Sequence, residues 1–190
     1  MNREQDKRPA PRIIGAMKKL LASAAFSLAL GALAVGQQPQ PTFHDELLDH
    51  FQDSWVLQGT IAGKETTHDL TNDWVLNHQY LRIHEVSREK NAQGNPAYEA
   101  MVFIGWDQPN NRYFAIWLDI WGGFGKATVG YAPHSGDEIH FLFNDGKSDF
   151  HTTFLYDRKA DRWEWRMDNE ENGNLTPYAR VKLTRRSPAN

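Results

Sequence analysis

Twice in this chain an aromatic residue and an aspartate are followed by four loop residues, an arginine and a second aromatic residue. The two copies are Trp106-Asp107-(Gln-Pro-Asn-Asn)-Arg112-Tyr113 and Tyr156-Asp157-(Arg-Lys-Ala-Asp)-Arg162-Trp163. Each reads as a reverse turn in which the aspartate bonds the loop and pairs with the arginine across the strand ends. A turn of fixed length fixes register, and register fixes which side chains share a face. The second copy sets Tyr156 opposite Trp163, Phe154 opposite Trp165 and Thr152 opposite Met167. The first sets Trp106 opposite Tyr113, Ile104 opposite Ala115, Val102 opposite Trp117 and Ala100 opposite Asp119, with Tyr98 and Trp121 on the same side.

A third turn, Asn144-Asp145-Gly146-Lys147, reads as a two-residue hairpin with Asp-Gly at its centre. It sets Phe141 opposite Phe150 and Ile139 opposite Thr152, and it sets His140 opposite His151. Taken with the Tyr156 turn, it sends Phe141, Phe143, Phe150, Phe154, Tyr156, Trp163, Trp165 and Met167 one way. His140, Asp149, Glu164, Arg166 and Asp168 point the other way.

Short runs rich in Trp, Tyr, Phe, Ile, Val and Thr recur around these turns. They predict strands over 55–61, 66–74, 76–86, 97–107, 112–121, 126–132, 138–144, 148–157, 162–168 and 176–184. With short links and no long helical pattern between them, the expected fold is all-β: about ten antiparallel strands in an up-and-down barrel, whose closure removes exposed edges. Before the strands, Phe43, Leu47, Leu48 and Phe51 fall at helical spacing. Thr42 is the expected cap of that short helix, with Asp45 completing an approximate capping box.

The start of the chain follows other rules. Met17-Lys18-Lys19 is basic, Leu20 to Leu33 is apolar, and Ala34-Val35-Gly36 supplies small residues for cleavage. Residues 1–36 therefore read as a leader with a secretory signal peptide, with Met17 as the expected initiator. Residues 37–42 read as a linker and 43–190 as one barrel domain, secreted or periplasmic and free of the membrane after cleavage. The leader takes six of the 21 Lys and Arg and two of the 24 Asp and Glu, leaving 15 basic and 22 acidic residues, a net of −7. Such a surface repels phosphate backbones, so nucleic acid is not an expected partner. There is no cysteine, which removes disulfides, Cys metal sites and a Cys nucleophile.

The stretch Arg112 to Lys126 carries the candidate chemistry. Its faces alternate: Tyr113, Ala115, Trp117, Asp119 and Trp121 on one, Phe114, Ile116, Leu118 and Ile120 on the other. If the first looks inward, Asp119 enters a mostly apolar space and requires a partner side chain, an ordered water or a ligand. The second, aliphatic face needs a cover, from the 43–51 helix or from a second subunit in a homodimer. Gly122-Gly123-Phe124-Gly125 lacks the Lys-Ser/Thr of a phosphate loop and reads as a strand connection. On strand 76–86, His78, Tyr80, Arg82 and His84 share one side and Leu81 and Ile83 the other, and the pattern leaves open which looks inward. No nucleophile elbow, HExxH or nucleotide-binding glycine motif is present. Neither a metal site nor a cofactor is expected.

Gly105-Trp106-Asp107, Tyr113 and Trp117-Leu118-Asp119 resemble the Gly-Tyr-Asp turn, Tyr and Trp-x-Asp strand of an uncharacterised bacterial family of lipocalin-like, calycin-type barrels. Trp stands here at 106 in place of that family's Tyr. The resemblance covers about residues 54–184 and implies the fold but no function. The chain is also distantly similar to the haem-holding nitrobindins. Their Gly-x-Trp-x-Gly-x-Gly opening is not reproduced by Ser54 to Thr60, and no axial His can be matched.

The expected role is non-catalytic binding of a small apolar or amphiphilic molecule inside the barrel, lined by Tyr98, Trp117, Asp119, Tyr156 and Trp165. Two alternatives differ in class. One is a hydrolase-like enzyme with Asp119 as general base. The other is an interaction protein whose barrel is packed solid.

Overall fold

The computed structural model describes residues 42–122, 128–144, 146 and 148–186. The expected leader, and the linker through residue 41, lie outside the described residues, as do most of the Gly122–Gly125 link and Asp145 and Lys147 of the Asp-Gly turn.

A single turn of helix, α1 (Glu46–Asp49), is followed by ten strands: β1 (Asp53–Ile61), β2 (Lys64–Val75), β3 (Tyr80–Ser87), β4 (Glu99–Asp107), β5 (Arg112–Asp119), β6 (Val129–Pro133), β7 (Glu138–Asn144), β8 (Asp149–Asp157), β9 (Arg162–Glu171) and β10 (Asn174–Arg185). Each pairs antiparallel with its successor, and β1 closes on β10 to complete a barrel. The all-β, ten-stranded, up-and-down architecture expected from the turns is the one observed. No helix among the described residues is long and apolar enough to cross a membrane.

Both aromatic–Asp turns hold the predicted register, with Trp106 opposite Tyr113 and Tyr156 opposite Trp163. The turn ion pairs form, Arg112 to Asp107 at 2.9 Å and Arg162 to Asp157 at 3.1 Å. Asp157 also accepts the backbone N–H groups of Lys159 and Ala160, and Asp107 accepts the Asn110 side-chain amide.

Three local expectations are corrected. Asn144 pairs with Asp149, so the β7–β8 register is displaced by two residues and Phe141 faces Thr152, Ile139 faces Phe154 and Phe143 faces Phe150. The Asn144 side chain causes the wider loop: it donates to Asp149 and accepts the Gly146 N–H at 2.7 Å. A displacement of two leaves every face unchanged. His140 now faces Thr153, yet its ring still meets that of His151 diagonally, nitrogen to nitrogen at 2.8 Å. Second, β3 begins at Tyr80. Leu76, Asn77 and His78 are all left-handed, at φ of 50°, 57° and 59°, which no strand accommodates. His78 is held in this turn by the Phe43 carbonyl at 2.7 Å and by stacking on Trp74. Third, the helix cap is Asp45, whose Oδ1 accepts the Leu48 N–H at 2.9 Å.

One end of the barrel is solid. Leu47, Leu48 and Phe51 plug it, with the Phe51 ring stacked on Trp163 at 4.4 Å and edge-on to Phe154 at 5.3 Å. The other Asp45 oxygen accepts the Tyr113 hydroxyl at 2.5 Å, which ties the plug to β5. Trp55, Leu57, Leu70, Leu81, Ile83, Phe141 and Trp163 are fully buried in the barrel, each contributing roughly 1.5–3 kcal/mol of apolar burial. The helix covers this mouth and not the outer aliphatic face of β4–β5, where Met101, Leu118 and Ile120 remain exposed.

Candidate functional site

The strands point the same inward side from the plug to the opposite end, but their chemistry changes along the way. On β3 the inward residues run Leu81, Ile83, Glu85, Ser87 toward the open end. On β2 they run Leu70, His68 and then Thr66. Across the barrel the apolar character persists: Phe141 and Phe143 on β7, Trp163, Trp165 and Met167 on β9. In a ring of ten strands, β2 and β3 stand opposite β7 and β8. A polar wall therefore faces an aromatic one.

Between them lies a cavity of about 730 Å³. Thr66, His68, Glu85, Ser87 and Glu89 form its polar side, and Phe143, Phe150, Met167 and Tyr178 its apolar side. Exposed Lys64, Glu65, Trp121 and Gly122 stand at the rim, so the cavity opens to solvent at the end away from the plug.

Two buried ionisable residues meet on the polar wall. His68 and Glu85 are diagonal neighbours across the β2–β3 ladder. His68 Nδ1 lies 2.5 Å from Glu85 Oε1, with side chains 5% and 1% exposed. The other ring nitrogen lies 2.8 Å from Thr66 Oγ1, which donates to Glu89 Oε2 at 2.9 Å. Since a carboxylate only accepts, the single hydroxyl proton is committed to Glu89, and Thr66 must accept from His68 Nε2–H. One further proton lies between Nδ1 and Oε1, so the His68–Glu85 unit is neutral as a whole. Its second carboxylate oxygen, Glu85 Oε2, is buried and has no partner among the described residues. An unsatisfied buried acceptor of this kind costs about 1–3 kcal/mol. Burial opposes ionisation of Glu89, but bonds from the Thr67 N–H and the Thr66 hydroxyl outweigh it and hold its carboxyl below the ordinary range.

Of the five residues expected to line a site, Tyr98, Trp117 and Asp119 line this cavity. Trp117 Nε1 donates to the Tyr98 hydroxyl at 3.1 Å. Burial, reinforced by the charges of Glu85 and Asp119, pushes the Tyr98 phenol far above its usual range, so it stays a neutral hydroxyl. Asp119 is half-buried at the mouth, and its Oδ1 accepts the Trp121 N–H at 2.9 Å. That partner is a backbone N–H and not the side chain, water or ligand expected from the sequence. Trp165 does not line the cavity. It is fully buried, between Phe154 and Trp117, with ring centroids 4.6 and 5.5 Å away. Tyr156 lies at the plugged end, where its hydroxyl donates to Asp161 and its ring stacks on His50.

Sequence reasoning missed His68 and Glu85. The one available signal was Leu81 and Ile83, whose burial sends Glu85 inward with them and leaves Tyr80, Arg82 and His84 outside. There Arg82 grips Asp73 through two bonds and His84 meets Glu99 at 2.8 Å. No cluster of three or more His, Asp or Glu with metal-binding geometry occurs among the described residues. Compared with known proteins, the chain matches no family model and no curated protein.

Proposed function

We propose that this is a secreted or periplasmic binding protein of lipocalin-like type, which takes a small, partly apolar molecule into the open end of its barrel without chemical change. The observation that carries this reading is the 730 Å³ cavity with walls of opposite character. That volume falls within the range of about 300–1,000 Å³ usual for small-molecule pockets. An apolar body against Phe143, Phe150 and Met167 gains burial, while a polar head meets the β2–β3 wall. The export assignment rests on the leader pattern of residues 1–36.

Native mass spectrometry of the protein purified from its own periplasm or medium tests this reading. A co-purifying adduct of small-molecule mass is expected, and Phe150→Arg, which places a charge on the apolar wall, should lose it. A bare chain from the native source, or an adduct untouched by Phe150→Arg, would sink the proposal.

A catalytic alternative has one observation in its favour, the buried His68–Glu85 pair beside the Tyr98 hydroxyl. Asp119, the base expected from the sequence, stands instead at the rim. Asp119→Asn separates the readings: a binder keeps its ligand with altered selectivity, whereas an Asp119-dependent hydrolase loses turnover by orders of magnitude.

A further inference from the structure

We propose that the cavity's ligand carries a protonated amine, seated at Glu85 with its apolar remainder against the Phe143–Phe150–Met167 wall. This rests on the binding reading above and names the chemistry of the ligand.

The seat is a buried acceptor without a donor. Glu85 is 1% exposed, lines the cavity, and spends only Oε1 on His68. Oε2 has no partner among the described residues. No donor among the described residues reaches it. Both His68 nitrogens are committed, to Glu85 and Thr66. The Ser87 hydroxyl donates to the Glu89 carbonyl and accepts from the Tyr98 N–H. A donor carried by the occupant would meet Oε2.

The surrounding charge decides what kind of donor. With His68 and Glu85 neutral as a unit, the remaining ionisable side chains on the lining are Glu65, Glu89, Asp119 and Lys64, apart from the phenols. Three carboxylates against one ammonium leave the site negative. A carboxylate or phosphate head would enter against that field. A hydroxyl would satisfy Oε2 and leave the field uncompensated. An ammonium does both.

Aromatic surface completes the seat. Tyr98, Trp117 and Trp121 line the same end, with Tyr98 and Trp121 ring centroids 5.1 Å apart. Ring faces attract cations more strongly than neutral heads.

The test holds the apolar part constant and changes the head. Octylamine, 1-octanol and octanoate are titrated calorimetrically into the full chain near neutral pH and at low salt. Octylamine should bind at least about tenfold more tightly than octanol, and octanoate most weakly of the three. Glu85→Gln should weaken octylamine by more than octanol, since the ammonium loses a charge-assisted bond, and bring the two to within about twofold of each other. Asp119→Asn, an isosteric change at the half-buried mouth that keeps an acceptor for the Trp121 N–H, should reduce the amine preference by roughly threefold.

Octanol or octanoate binding as tightly as octylamine overturns the amine assignment and leaves the binding reading intact. An amine preference that survives in a folded Glu85→Gln variant overturns the seat. If that variant does not fold, the order of the three probes on the parent chain and the Asp119→Asn response decide the matter. Failure of all three probes to bind overturns the binding reading together with the amine.

Discussion

His68 and Glu85 are held by each other more than by the barrel, and that makes their removal asymmetric. His68→Leu strips Glu85 of its one partner and leaves a carboxylate in a site 1% exposed. Breaking a buried pair this way should cost roughly 3–5 kcal/mol in urea-induced unfolding. Replacing both residues by leucine removes the stranded charge, and the double variant should recover to within about 1 kcal/mol of the parent or exceed it. A single variant as stable as the parent would show that Glu85 does not need His68. Burial gives Tyr98 and Tyr113 a separate signature. Both phenols are pushed up, Tyr98 by burial with the Glu85 charge behind it, and Tyr113 by burial and its bond to Asp45. A folded pKa above the unfolded value contributes stability that is complete below the unfolded value and is lost as pH rises past it. The barrel should therefore weaken above about pH 10, where unfolded tyrosine begins to ionise. Tyr98→Phe should flatten that alkaline limb in equilibrium unfolding. An alkaline limb unchanged by the substitution would refute the assignment.

Elements differ in how openly the sequence declares them. The two aromatic–Asp turns were legible because an Asp and an Arg on either side of four residues bring two strand ends together in one way only. The β7–β8 turn misled because its closure uses the side chains of Asn144 and Asp149, which widens the loop without altering which residues look inward. The cavity's polar wall was not legible at all. His68 reaches Glu85 along a diagonal of β2–β3, and that register depends on the left-handed Leu76-Asn77-His78 turn, whose residues read as strand. Helix α1 is too short to be stable alone and forms because Phe51, Leu47 and Leu48 have the barrel's end to fill. Phe51→Ala should accordingly cost roughly 3–5 kcal/mol in denaturant unfolding. A loss of about 1 kcal/mol or less would mean that the plug is a loosely held lid rather than part of the core.

As a whole, the molecule depends on closing a ring of ten strands, and the closing joint between β1 and β10 has no room for a side chain at one position. Gly59 on β1 stands at φ +146°, and a Cβ there would meet the Arg180 carbonyl of β10 at 2.3 Å. Any side chain there must displace the β10 backbone from β1. The ring also leaves one surface unexplained by its own packing: on the outside of β4 and β5, continuing onto β6 and β7, Met101, Leu118, Ile120, Tyr131 and Leu142 remain exposed. Contiguous apolar surface of this kind marks association sites, and the commonest soluble assembly is a two-fold dimer using the same patch from each copy. We place the proposed homodimer there. Leu118, 41% exposed on this surface, points outward between Trp117 and Asp119 of the cavity lining, so its substitution tests association from the outer face of the sheet. Sedimentation of the parent chain should give twice the monomer mass and Leu118→Glu the monomer mass, with ligand binding retained. A parent chain that sediments as a monomer removes the dimer and leaves the cavity untouched, because every residue of the cavity wall belongs to one copy.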